Sequence, residues 1–73
     1  MHTVHMTDER AARAAVKYMI NSGLTPAEKA RYREMLQLEG RMVTVDSEDE
    51  ALTRRAVMFL ISFDAGYSAC AAL

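Results

Sequence analysis

Few side chains in this sequence have the type and spacing that catalysis requires. Cys70 could serve as a nucleophile only beside a base that removes its proton, yet it lies among alanines with no histidine nearby in sequence. The acids between Asp46 and Glu50 lack the alternate spacing and central glycine of a calcium loop, and they suit the start of a helix. The three glycines form no phosphate-binding loop. We therefore predict a protein that is not an enzyme, with no catalytic residue, metal, cofactor or small-molecule substrate.

The N-terminal histidines, His2 and His5, are the remaining candidates for metal binding. A pair without a third ligand, on a mobile terminus, binds a metal weakly. We expect residues 1–6 to be flexible and residues 7–73 to form a single helical domain. The His5-Met6 pair also resembles a cloning junction, in which case Met6 would be the natural start.

Length, charge and hydropathy restrict the classes of function. A chain of 73 residues is one domain with a thin core. Nine basic and ten acidic side chains give no strong attraction to nucleic acid or to an anionic membrane. The longest apolar run is far shorter than the ~20 residues that span a bilayer, and no signal peptide is visible. With one cysteine and no possible internal disulfide, we expect a cytoplasmic protein that does not bind membranes.

Two amphipathic helices are predicted in the first half of the chain. The first covers about residues 8–22, with Thr7 as a possible cap and Gly23 at its end. The second covers about residues 26–39 and begins with a capping box, Thr25-Pro26-Ala27-Glu28, that places proline at the first helical position.

The segment 41–45 is prone to form a strand but is short. Nothing else in the chain is expected to pair with it, so we predict an extended connector. Pairing with the same segment of a second copy is the alternative.

A third helix is predicted over about residues 48–65, after a second capping box from Ser47 to Glu50. Gly66 ends this helix, or the helix continues through it into a helical C-terminal tail. The predicted fold is therefore all-α, a small bundle of three helices.

The third helix is apolar around most of its circumference, and such a helix must be covered on all sides. Two shorter amphipathic helices cannot enclose it, so the rest of its surface should pack on a partner, most simply a second copy of the chain. The candidate contact residues are Val57, Leu60, Ile61, Phe63, Tyr67 and Leu73.

These features favour a non-enzymatic, small helical protein-binding module. We expect it to form a homo-oligomer, most simply a dimer, and to act on a larger protein by occupying part of its surface. Small regulators and inhibitors of the phage or antitoxin kind have this character.

DNA binding is the alternative function, since a tight turn joins the first two helices as in a helix-turn-helix. Basic side chains are present on both: Arg10, Arg13 and Lys17 on the first, Lys29 and Arg33 on the second. The second helix also carries Glu28, Glu34 and Glu39, which would repel phosphate. A solvated face of mixed charge explains these residues better.

Overall fold

The computed structural model describes residues 1–71 of the chain. Within that range, three helices and a three-stranded antiparallel sheet form an α+β fold, so the prediction of an all-α bundle is wrong. The elements in chain order are β1 (His2–His5), α1 (Glu9–Asn21), α2 (Pro26–Met35), β2 (Leu36–Glu39), β3 (Met42–Val45) and α3 (Glu50–Ala71).

The centre of the sheet is β3, the segment expected to be a connector. It pairs antiparallel with β1 on one side and with β2 on the other, and Val43 lies opposite both Val4 and Leu38. The segment has partners inside the chain because β1 and β2 are both strands. The sequence predicts a flexible terminus for the first and the end of a helix for the second.

The second helix ends at Met35, four residues before the predicted end at 39. The chain turns extended at Leu36, which has φ −104° and ψ 125°. A two-residue turn, Gly40-Arg41, then connects β2 to β3, and Gly40 has φ +59°. A glycine with positive φ at the first position of such a turn matches the right-handed twist of the strands. Gly40 therefore closes a β-hairpin and does not terminate a helix.

The N-terminal segment is a strand, in contrast to the predicted flexible end. Beyond the ladder of β1, the Met6 amide donates a 2.8 Å hydrogen bond to the Arg41 carbonyl, and the Met6 side chain is 1% exposed. On the outer face, the hydroxyl groups of Thr3 and Thr44 lie 3.1 Å apart. Backbone pairing and burial of Met6 together hold the segment in place.

The helix starts agree with the sequence to within two residues. Thr25 caps α2 as predicted, since its hydroxyl accepts a 3.1 Å hydrogen bond from the Glu28 amide. Asp8 caps α1 in place of the expected Thr7. Asp49 accepts from the Leu52 amide at 3.1 Å and thereby caps α3, in place of Ser47. All are short polar side chains of the kind that satisfy free amides at a helix start.

The core lies between one face of the sheet and the two longer helices. Val43 and Val45 point from β3 into this core, where both are fully buried. Buried alanines on α1 let this helix pack closely against the sheet and α3. Leu60 of α3 is also fully buried. The sheet supplies the cover for α3 that two helices could not supply. The opposite face of the sheet carries Thr3, His5, Gln37, Glu39, Met42 and Thr44.

Candidate protein-binding surfaces

The predicted contact residues on α3 fall into different environments. Leu60, one of the predicted contact residues, is fully buried in the core and is not exposed at the surface. Ile61 is 52% exposed. The others are half-buried against the core, namely Val57, Phe63 and Tyr67. Leu73 lies outside the described residues.

Ile61 belongs to an exposed strip along α3, here called the α3 outer face. Its members are Arg54, Met58, Ile61, Ser62, Ala65 and Ala69, all exposed and spaced so that they share one side of the helix. Met58 and Ile61 are the large apolar members, with 60% and 52% of their surface exposed. Of the acids in α3, Glu50 stands in its first turn and Asp64 lies on another side. The α3 outer face is therefore apolar at its middle and lined with small residues at one end, while at the other end Arg54 lines the same concavity as Glu48 and Glu50.

Asp64 is directed towards the N-terminal segment. Its carboxylate accepts a 2.7 Å hydrogen bond from the Thr7 amide, and the Thr7 and Ser68 hydroxyl groups lie 2.6 Å apart. These bonds attach the end of β1 to the second half of α3. They fix which side of α3 faces the body of the molecule, and so leave the α3 outer face to solvent.

A wide concavity of about 520 Å³ borders Met58 on the β1 side. Its lining includes Met1 and His2, the acids Glu48 and Glu50, and the cation Arg54. No group of three His, Cys, Asp or Glu side chains that could hold a metal ion occurs in residues 1–71. This concavity combines opposite charges with apolar groups and shows no selective chemistry of its own.

A second surface, here called the aromatic groove, lies where α1, α2 and α3 meet. Tyr18 stacks on Phe59 with ring centroids 5.6 Å apart and an interplanar angle of 17°. Beside this pair is a concavity of about 330 Å³ with a floor of methionine, leucine and alanine side chains. Tyr32 and Arg55 stand at its edge. Sequence reasoning missed this groove because Tyr18, Tyr32 and Phe59 belong to three different helices.

The residues suggested for DNA binding are distributed over α1 and α2. Arg10, Arg13, Lys17 and Arg33 are exposed, whereas Lys29 is half-buried. The Lys29 side chain lies against the turn before α2, where a Cβ on Gly23 would come within 3.0 Å of its Cγ. Glu28 is occupied in accepting a 3.2 Å hydrogen bond from the Leu24 amide. Lys29 thus packs in the turn between the helices.

The carboxylate of Asp49, at the start of α3, has a lowered pKa. The largest cause is the hydrogen bond from the Leu52 amide, followed by the Ala51 amide and by the positive charges of Arg31 and Arg55; burial opposes them. Arg31 approaches within 3.5 Å and Arg55 contributes less. The charge that caps the helix is therefore stabilised mainly by backbone amides.

No family model matches the chain, and neither a curated protein nor a solved structure matches it. Residues 1–71 contain no helix with the length and apolar character needed to cross a bilayer.

Proposed function

We propose that this chain is a non-enzymatic protein-binding module that pairs with a second copy of itself through the α3 outer face. The observation that supports the proposal is the exposure of Met58 and Ile61, both more than half exposed at the middle of a helix face. In a folded domain, neighbouring large apolar side chains at the surface often mark a contact site.

The shape of the α3 outer face suits a symmetric pair. Beyond Ile61 it continues with Ser62, Ala65 and Ala69, and small side chains let two helices approach closely. In a two-fold dimer the same patch is used by both copies. With the helices antiparallel, the bulky part of one would lie on the small part of the other.

The energy of such a contact is modest. Complete burial of a methionine or isoleucine side chain contributes about 1.5–3 kcal/mol. Because Met58 and Ile61 are 60% and 52% exposed, the four side chains of a dimer would gain about 3–7 kcal/mol. Association itself costs about 4–15 kcal/mol, so further contacts must contribute. We therefore expect a weak, reversible dimer that forms only at high protein concentration.

The biological role that we propose is that of a small regulator or inhibitor, of the phage or antitoxin kind, that occupies a surface of a larger protein. In this role a larger partner would displace the second copy from the same face, which a weak dimer permits. The single cysteine favours a reducing compartment, and we place the module in the cytoplasm as part of the proposal.

Sedimentation equilibrium over about 10 μM to 1 mM tests the pairing. The chain should show reversible dimer formation, and Ile61→Asp should abolish it without unfolding the domain. Leu24→Asp is the matched control, because Leu24 is 91% exposed in the turn before α2 and should leave the dimer intact. A monomer over the whole range, or equal effects of the two variants, would contradict the proposal.

A further inference from the structure

The aromatic groove continues past Tyr18 into a neighbouring concavity. The first part has a volume of about 330 Å³ and the second about 480 Å³, and both are lined by Tyr18 and Ser22. Arg55 lines the first part and Lys17 the second, whereas no carboxylate lines either. Tyr18 thus borders both open depressions, and each of them is lined by one cation.

The aromatic side chains of the groove are held in position before any ligand binds. Tyr18 is 61% exposed, yet its ring rests on Phe59, which in turn packs on Phe63 with centroids 5.9 Å apart. A rigid ring loses little conformational entropy when a ligand covers it. Tyrosine and arginine are also enriched among the residues that dominate binding energy at protein interfaces.

The two cations of the groove form no ion pair. Within residues 1–71 a single ion pair occurs, and it joins Arg31 to Asp49. The positive charge of Arg55 lowers the pKa of Asp49, but the Leu52 amide lowers it most and Arg55 lowers it least. Both Lys17 and Arg55 can therefore receive carboxylates from a ligand.

We propose that the aromatic groove binds a peptide segment of another protein in which a large apolar side chain lies between acidic residues. The apolar side chain fits the depression between Tyr18, Tyr32 and Phe59, and its flanking carboxylates reach Arg55 and Lys17. This surface is separate from the α3 outer face, since Arg54 belongs to that face and Arg55 to the groove.

The form of the groove favours a chain over a small molecule. Small ligands are usually enclosed, with most of their surface buried. Here both depressions are open and share Tyr18 in their linings, so a small molecule in one would remain largely solvated. A peptide that crosses Tyr18 uses both depressions and both charges.

Fluorescence anisotropy with a labelled synthetic peptide tests the inference. The probe repeats the sequence Asp-Phe-Glu-Leu over twelve residues, and a second peptide replaces each acid with lysine. The acidic peptide should bind saturably, the basic one should not, and added salt should weaken binding. Tyr18→Ala and Arg55→Glu should each weaken binding by about tenfold or more.

Arg54→Glu is the matched control, because it reverses the neighbouring charge outside the groove and should change binding less than about twofold. Circular dichroism of each variant confirms that the domain is folded. Equal binding of the two peptides, or equal effects of Arg54→Glu and Arg55→Glu, would overturn the inference. So would saturable binding of decanoate, a small apolar carboxylate, without binding of the acidic peptide. Ile61→Asp should bind the acidic peptide as tightly as the native chain does. A failure of the proposed dimer can therefore be distinguished from a failure of peptide binding.

Discussion

The amide of Thr7 donates a 2.7 Å hydrogen bond to the carboxylate of Asp64, a residue 57 positions later in the chain. This bond joins the residues just after an edge strand to the second half of the longest helix. The hydroxyl contact between Thr7 and Ser68, at 2.6 Å, lies one helical turn further along α3. Together they attach the N-terminal segment to the body of the domain.

Removal of the Asp64 carboxylate should loosen the N-terminal strand. We expect Asp64→Ala to lower the free energy of unfolding by about 1 kcal/mol, since the Thr7 amide loses its acceptor. Asp64→Asn keeps an acceptor oxygen and should cost less. Urea unfolding measures both, and amide hydrogen exchange should show faster exchange in β1 for the alanine variant. Equal costs for the two variants would argue against the hydrogen bond as the cause.

Two glycines should respond to alanine with opposite signs. Gly40 has φ +59° in the hairpin turn, where a Cβ costs about 1–2 kcal/mol. Gly66 lies inside α3 with nothing within 4 Å of an added Cβ, so Gly66→Ala should stabilise by about 0.5–1 kcal/mol. Thermal unfolding of the two variants gives the comparison. A stabilising Gly40→Ala would contradict the turn geometry.

Neighbouring apolar residues of α3 should differ greatly in their effect on stability. Leu60 is fully buried, so Leu60→Ala should cost about 2–5 kcal/mol. Ile61 is 52% exposed, and Ile61→Ala should cost under about 1 kcal/mol in dilute solution. Urea unfolding at low concentration, where a weak dimer dissociates, provides the measurement. Similar costs would mean that α3 is turned differently on the sheet.

The Asp49 cap of α3 should make the domain less stable as the pH falls into the acid range. Because the pKa of Asp49 is lowered below its ordinary 3.8 in the folded chain, its contribution is complete above that value. It is lost as the pH falls through the lower pKa of the folded state. Asp49→Asn keeps a capping oxygen that does not titrate. The stability difference between the native chain and this variant should therefore shrink between about pH 5 and pH 2 in thermal unfolding.

Gel retardation distinguishes the proposed protein-binding module from the alternative, a DNA-binding regulator. With Lys29 half-buried in the turn, we expect no sequence-specific complex at low or moderate salt. A specific complex with steep salt dependence, weakened by Arg13→Glu and Arg33→Glu, would favour DNA binding over the proposed module.

Local sequence determined where the helices begin. The Thr25-Pro26 start of α2 was predictable because a side-chain cap and a fixed proline φ act within one turn. The length of α3 stayed open at Gly66, and the structure shows that the helix continues to Ala71. A glycine inside a helix costs only about 1 kcal/mol, which packing of the flanking residues can offset.

The α3 outer face and the aromatic groove were partly visible in the sequence. Ile61 was predicted as a contact residue and is exposed, while Leu60 beside it is buried. The sequence of a mostly apolar helix does not show which apolar residues are buried and which are exposed. That depends on which side of the helix the other elements cover. The stacking of Tyr18 on Phe59 joins two helices and has no local pattern.

The pairing of the three strands into one sheet was decided by the tertiary structure. A strand of four residues gains stability only when its amides and carbonyls find partners, and those of β3 lie in β1, about 40 residues earlier, and in β2. The alternation of Leu36 and Leu38 with Val43 and Val45 around Gly40 was a readable hairpin signal. The helix predicted over the same residues concealed it. A helix forms its hydrogen bonds within four residues, so its signal is local, whereas a sheet exists only once distant segments meet.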